Sequence, residues 1–390
     1  MRVLYLFVFL VTSAIALSGE DASGPVITVR KGTSVVVETK EITGPAGAVA
    51  SKVLKNDFQL SGALSPGDAS TATIVVSGSA TGSNFNAQAT EKTGGVILQR
   101  SYGGDTRRAV HQFTDELVET LTDQKGIALS KVGFVADRTG HKEIYTCDYD
   151  GINVLQLTHD GAISVSPALS PDGRRLAYTG YQSGYADIYL IELSSGSRNR
   201  IIKFPGTNSG AAFSPDGAHI ACTLSKDGNP EIYVTGTYGD SPRRLTHTRG
   251  VESSPTWSPN GSEIIYSSDE KGSPELYRIS ARGGAGRFLS TGFGYNTQPN
   301  WSPDGKRVAF NVRSGGGFQI ATMDLDSGTI RIVVDEGENP CWGPDSRHII
   351  FARGGSGLYL FDTVTGKETR LLGDLGRISE PTWSRYKRLF

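Results

Sequence analysis

Pro255-Thr256-Trp257-Ser258-Pro259-Asn260-Gly261 is one copy of a pattern that returns along the C-terminal two-thirds of this 390-residue chain. Its turn recurs as Pro171-Asp172-Gly173, Pro215-Asp216-Gly217, Pro259-Asn260-Gly261 and Pro303-Asp304-Gly305 at steps of 44 residues, and Pro344-Asp345-Ser346 follows at 41. The residue two before each of these prolines is Leu169, Phe213, Trp257, Trp301 and Trp342, and Trp383 holds that place in a sixth, incomplete copy. All four tryptophans therefore share one repeat position. Apolar triplets such as Ile264-Ile265-Tyr266 follow each turn, then Ile-Tyr pairs such as Ile188-Tyr189 and Ile232-Tyr233, then short stretches such as Arg244-Leu245-Thr246. Asp-Gly and Asn-Gly suit tight hairpins, because these side chains tolerate positive φ and glycine has no Cβ to clash. Four short antiparallel strands at a period of about 44 residues are the mark of a propeller blade.

The ends of the array set the blade count. Val132-Gly133-Phe134, Glu143-Ile144-Tyr145 and Leu155-Gln156-Leu157-Thr158 supply strands two to four of a unit that lacks its first strand. Pro381-Thr382-Trp383-Ser384 supplies a first strand with nothing after it. Joined, they make one blade, so the array reads as six blades closed by its own C-terminal strand. Closure removes the two unpaired sheet edges of an open array.

The rest of the chain reads differently. Met1-Arg2, the apolar run Val3 to Val11 and Ala14-Ile15-Ala16 have the form of a signal peptide cut after Ala16. The run is shorter than the roughly 20 residues that span a bilayer. Residues 17–128 are expected to form a small α/β domain, with strands at Ser34–Glu38, Thr73–Ser77, Asn84–Thr90 and Val96–Arg100. One helix is expected over Ala48–Lys55, with Val49, Val53 and Leu54 on one side. A stronger one is capped by Asp105 or Thr106, carries Val110, Phe113, Leu117 and Leu121, and has Gly126 just past its end. The propeller then occupies 129–390. The expected fold is thus an all-β six-bladed propeller of four-stranded blades, preceded by a small α/β domain.

Composition narrows the function. Lys plus Arg is 39 against 40 for Asp plus Glu, a formal charge of -1, so no basic surplus points to nucleic acid. Gly is 49 residues, above the usual share of about 7%, which fits a chain full of turns. Cys147, Cys222 and Cys341 are too scattered for a disulfide framework or a metal knuckle, and read as small buried apolar residues.

The leader, the α/β segment ending in Glu116-Leu117-Val118-Glu119-Thr120-Leu121-Thr122-Asp123-Gln124-Lys125-Gly126, the Asp148-Tyr149-Asp150-Gly151 turn and the repeated P-x-W-S-P-D-G resemble the TolB family over nearly the whole mature chain. The resemblance implies a periplasmic, monomeric, non-enzymatic scaffold of the Tol-Pal system without metal or cofactor. It would bind the lipoprotein Pal on a propeller face and TolA through its N-terminal side, peripheral to the envelope, with a role in outer-membrane integrity and constriction at division. In that family Pal meets loops at the channel mouth. Here these are Phe204–Gly210 and Gly250–Ser253, which gives Thr207, Asn208, Ser209, Gly210, Glu252 and Ser253 as partner-binding residues. The first loop departs from the family's F-P-x-H-N-G-A-P: Thr207 stands in the His place and Ser209-Gly210-Ala211 replaces Gly-Ala-Pro.

Catalytic readings have less to stand on. No G-x-S-x-G elbow is present, and a prolyl-oligopeptidase-like hydrolase domain has no room. An exported carbohydrate-processing propeller, a lyase or glycosidase with its site at the channel mouth, is the alternative. Its acid-base or metal groups would be His159 and His247, each directly after a Leu-Thr strand end. The acids before the Ile-Tyr strands, Glu143, Asp187, Glu231 and Glu275, read as structural partners of loop backbone or Arg, and the tryptophans as packing between blades. The basic tail Arg385–Phe390 reads as a solvated terminus.

Overall fold

The computed structural model describes residues 34–385, so the expected leader and the tail beyond Arg385 lie outside the described residues. The chain opens with β1 (Val35–Thr43), α1 (Gly47–Leu60), β2 (Leu64–Gly67), β3 (Ile74–Ala80), β4 (Asn84–Glu91), β5 (Val96–Gly103) and α2 (Thr106–Thr122). These build one sheet in the order β2-β1-β3-β4-β5, parallel across β2-β1-β3 and antiparallel from β3 to β5. Both helices cover one face of it, burying Leu54, Phe58, Val110, Phe113 and Leu117 against Val37, Ile74, Val76 and Phe85. Asp105 caps α2 by accepting the Arg108 N–H at 2.9 Å.

Blade 1 takes β6 (Lys131–Ala136), β7 (Glu143–Asp148) and β8 (Leu155–Gln156). Blades 2 to 6 follow as β9–β12 (164–202), β13–β16 (208–244), β17–β20 (252–289), β21–β24 (296–334) and β25–β28 (338–372). Last comes β29 (Ile378–Trp383), which pairs with β6 in the order β29-β6-β7-β8. Closure is therefore made by the C-terminal strand, with Trp383 opposite Val132 and Thr382 opposite Gly133. Ser384 N–H donates to the Lys131 carbonyl and Lys131 N–H to Ser384 Oγ, each at 3.0 Å.

The repeat residues explain the blade. Ser258 Oγ donates to Asn260 Oδ1 at 2.7 Å and accepts the Glu263 N–H at 2.9 Å, which clamps the turn between the first two strands. Ser170, Ser214 and Ser302 do the same for their turns. Blade 6 has Gly343 instead, because a Cβ there would stand 2.9 Å from the Trp383 ring. Asp345 turns to His348 Nδ1 at 2.6 Å in its place. The tryptophans fill the wedge between blades: Trp257 Nε1 donates to the Ala212 carbonyl of blade 3 at 3.0 Å, and Trp383 Nε1 to Ser130 Oγ at 2.6 Å. The three cysteines are free and buried.

Two features of the α/β part differ from expectation. α1 runs to Leu60, and Val49 is 54% exposed, because the helix face toward the sheet is set by Ala50, Val53, Leu54 and Phe58. α2 ends at Thr122 with Asp123 in the left-handed region (φ 56°), so Gly126 is not its cap. Gly126 instead lets the link press on α2: a Cβ there would lie 2.1 Å from the Asp115 carboxylate. That carboxylate accepts the Ala128 and Leu129 N–H groups at 2.8 and 3.0 Å, and burial pushes its pKa up to about 7.

The α/β part docks on the propeller through the Asp148–Gly151 turn. Tyr149 is fully buried and donates its hydroxyl to Asp57 Oδ1 of α1 at 2.6 Å. Asp57 Oδ2 lies 2.8 Å from His111 Nδ1 and accepts the Thr114 hydroxyl at 3.1 Å, both from α2. Arg107 binds Asp150 through Nη2 and Asp148 at 3.2 Å, and Asn56 donates to Asp150 at 3.0 Å. On the same side, Gly62 packs on the Arg347 guanidinium in the turn between the first two strands of blade 6. The domain therefore covers the end of the ring that carries the Pro-Asp-Gly turns. The opposite end, formed by the loops that enter each blade and join its second and third strands, is open.

Candidate partner-binding face

Six first strands line the axis: β9 (Ser164–Leu169), β13 (Asn208–Phe213), β17 (Glu252–Trp257), β21 (Asn296–Trp301), β25 (Glu338–Trp342) and β29. Each slips register once against its partner, and Ser166, Gly210, Ser254, Gln298, Asn339 and Glu380 there all have positive φ, between 51° and 64°. These are β-bulges repeated around a ring. In five of the six the next residue is proline, whose missing N–H costs nothing on an inner strand edge that faces the channel. A cavity of about 220 Å³ runs along this axis. Its ionisable lining is Glu380 near the loop end and Arg385 at the other. Arg385 stands in the repeat's proline place and donates toward the Trp301 carbonyl at 3.4 Å, and burial lowers its pKa.

The mouth is rigid because its loops are pinned from within. Asn208 is 0% exposed: its amide donates to the carbonyls of Phe204 (2.8 Å) and Ala186 (3.1 Å), and its Oδ1 accepts the Phe204 N–H at 3.1 Å. Thr207 N–H donates to Ser225 Oγ at 2.8 Å and Gly210 N–H to Thr179 Oγ1 at 3.2 Å. Glu252 is also 0% exposed, accepting the hydroxyls of Thr248 (2.7 Å) and Ser268 (2.6 Å). Two of the six expected contact residues, Asn208 and Glu252, are therefore corrected to loop staples, since neither reaches the surface. Thr207 is exposed, and Ser209, Gly210 and Ser253 are half-buried on the rim. The alternation of the inner strands, unreadable from a loop-like sequence, decides which of these residues points out.

Burial pushes the Glu252 carboxyl up to about 7, helped by the nearby Glu231 carboxylate, whose own pKa is lowered. A carboxyl raised in the folded state stabilises fully below its unfolded value and loses that contribution as pH rises through about 7. Asp115 acts in the same sense. The melting temperature is expected to fall by a few degrees between about pH 5 and pH 8. Glu252→Gln, which stays neutral, should melt above wild type at pH 8 and show a flatter profile. Scanning calorimetry across that range checks this, and an unchanged slope in the variant contradicts it.

The other expected residues sort cleanly. Glu143 takes the Thr158 hydroxyl and the N–H groups of Asp160 and Gly161 at 3.0 and 3.1 Å. Asp187 pairs with Arg200 at 2.7 Å, Glu231 with Arg244 at 2.6 Å, and Glu275 accepts from Asn296 at 2.6 Å. His159 and His247 are exposed on loops of separate blades. Among the described residues, the cluster with metal-ligand geometry is Asp57, His111 and Asp150 at the domain junction. Arg107 already neutralises Asp150, and Tyr149 and His111 engage Asp57, so that cluster is a docking joint. Sequence reasoning missed it, because isolated polar residues within helical patterns look solvent-facing.

The family model of the TolB beta propeller domain, PD40, matches residues 118–387. A "Protein TolB homolog" of Chlorobaculum tepidum is 40% identical over 131 residues, 30% of this chain and 30% of its own length. A "Tol-Pal system protein TolB" of Desulfosudis oleivorans is 38% identical over 116 residues, 29% of this chain and 26% of its own length. The chain thus aligns with less than a third of either relative. The fold is similar to TolB from Acinetobacter baumannii, with a TM-score of 0.80, 24% identity, and coverage of 90% of this chain and 97% of that one. A family model that spans the ring from the end of α2 to the closing strand shows that the chain belongs to the TolB beta-propeller family.

Proposed function

We propose that this protein is the periplasmic propeller of a Tol-Pal envelope system, a non-catalytic scaffold that binds Pal on the loop end of the ring. In this reading TolA is met through the α/β side, and the assembly maintains outer-membrane integrity and its constriction during division. Relatives that carry the Tol-Pal system name support it. The observation that carries it is the rim of Thr207, Ser209, Gly210 and Ser253, held in place by buried Asn208 and Glu252. A loop surface fixed before contact loses little conformational freedom on association. Among the described residues no helix is long and apolar enough to cross a membrane.

Titration calorimetry of residues 17–390 against the soluble Pal domain of the same organism tests the reading. Saturable one-to-one binding is expected, weakened at least tenfold by Thr207→Arg, which places a bulky cation on the rim. No heat from two well-folded partners, or unchanged affinity in Thr207→Arg, contradicts it.

A further inference from the structure

We propose that the loop end of blades 1 and 2 carries a second, basic and aromatic contact sector, and that it takes an acidic segment of the protein bound at the mouth. The sector rests on the reading above that this end of the ring receives a protein partner.

It is contiguous by backbone hydrogen bonds. Lys142 O accepts the Ser164 N–H at 2.8 Å, Ile163 O accepts the Tyr181 N–H at 3.0 Å, and Ala186 O accepts the Asn208 N–H at 3.1 Å beside Thr207. Along this run Ile163 is 49% exposed, Tyr181 40% and Tyr185 71%. Two large tyrosines left in solvent on one short loop need a reason, since scattered single apolar residues do not.

The tyrosine loop is built, not loose. Gly184 N–H donates to the Tyr181 carbonyl at 2.9 Å, with Gly184 at φ 86°, which only glycine adopts readily. Ser183 Oγ donates to the Tyr185 carbonyl at 3.2 Å and to Asp187 below. Tyrosines held this way add contact area at small entropic cost, the usual character of binding hot spots.

The charge of the sector points to the partner. Arg138, Lys142 and Lys203 are exposed and hold no ion pair among the described residues. Asp160 is paired with Arg198 at 2.8 Å and Asp187 with Arg200 at 2.7 Å, whereas Asp137 (from the Arg377 N–H at 2.6 Å) and buried Glu143 accept only neutral donors, so the charges without an ion pair are three cations against these two acids. The chain as a whole carries a formal charge of -1, so this local surplus of cations is a property of the face. Complementary charge steers association and fixes orientation, while tyrosines supply the short-range contact.

The test uses residues 17–390, the soluble Pal domain of the same organism as probe, and three variants: Tyr181→Ser with Tyr185→Ser, Lys142→Glu with Lys203→Glu, and Thr207→Arg. All five positions are at the surface, and unchanged melting temperatures confirm folding. The tyrosine variant is expected to bind about tenfold more weakly, and the charge variant to associate more slowly with a flatter salt dependence. If Thr207→Arg weakens binding but both sector variants behave as wild type, the sector is overturned and the mouth reading stands. If wild type does not bind the Pal domain, the mouth reading fails, and titration with poly-L-glutamate decides the sector alone. Weaker binding of poly-L-glutamate by Lys142→Glu with Lys203→Glu than by wild type supports it, and equal or absent binding overturns it.

Discussion

Deleting Glu380–Phe390 is expected to lower the melting temperature of residues 17–390 by about 10 °C or more, because it takes out most of the strand that closes the ring. The loss includes Trp383, which is 4% exposed, packs on Gly343 and bonds Ser130. Truncating a buried tryptophan alone costs about 3–5 kcal/mol. The deletion also removes the ladder to β6 at Thr382 and Trp383 and the Ser384–Lys131 exchange. It further strips Ser166 N–H of its Glu380 acceptor at 2.6 Å. β6 would then present an unpaired edge to water, which also favours association between copies. Scanning calorimetry should show an earlier, broader transition. A cooperative transition at the wild-type temperature would mean that the ring does not depend on its C-terminal strand.

Arg107→Ala is expected to uncouple the α/β part from the propeller. Asp150, with a side chain 1% exposed, would keep only the Asn56 amide and the Ile152 N–H, and Asp148 would keep Lys131 and Asn153. Removing one partner of a buried ion pair costs about 3–5 kcal/mol, most of it the uncompensated charge left behind. That loss falls on the junction and not on either core, so the single calorimetric transition should split, the α/β part melting first. Burial and the adjacent Asp57 carboxylate also hold the Tyr149 phenol well above its ordinary pKa, so the joint stays neutral at that position over the working range. A single transition at an unchanged temperature would show that apolar contacts of Leu60, Ile127 and Ala128 with the blades suffice for docking.

What the sequence revealed and what it hid follow from how far each signal reaches along the chain. The blades were legible because the period, the Ser-Pro-Asp/Asn-Gly clamp of four turns and the shared tryptophan position are local and repeated, with Gly343 the telling exception. β2 was not, since Leu64-Ser65-Pro66-Gly67 has no strand pattern of its own and exists only by parallel pairing with β1. The left-handed ring at Ser166, Gly210, Ser254, Gln298, Asn339 and Glu380 has a faint signal, the residue before the repeat's first proline, and its identity varies too much to read as a bulge. At the mouth, the loop was placed from the resemblance, yet Asn208 and Glu252 look like surface polar residues until the strands turn them inward. Tyr149 and Asp150 carried family resemblance in the sequence, but their partners Asp57, His111 and Arg107 lie more than 35 residues away, and only the fold brings them together.

In the proposed reading the loop end of the ring, opposite the α/β domain, binds Pal. Hydrogen exchange of residues 17–390 with and without a saturating amount of the Pal domain tests it most directly. The expected result is new protection in the segments 204–210 and 250–254, with the Pro-Asp-Gly turns at the other end unchanged. Protection confined to the α/β domain or to those turns, or none at saturation, would contradict the account.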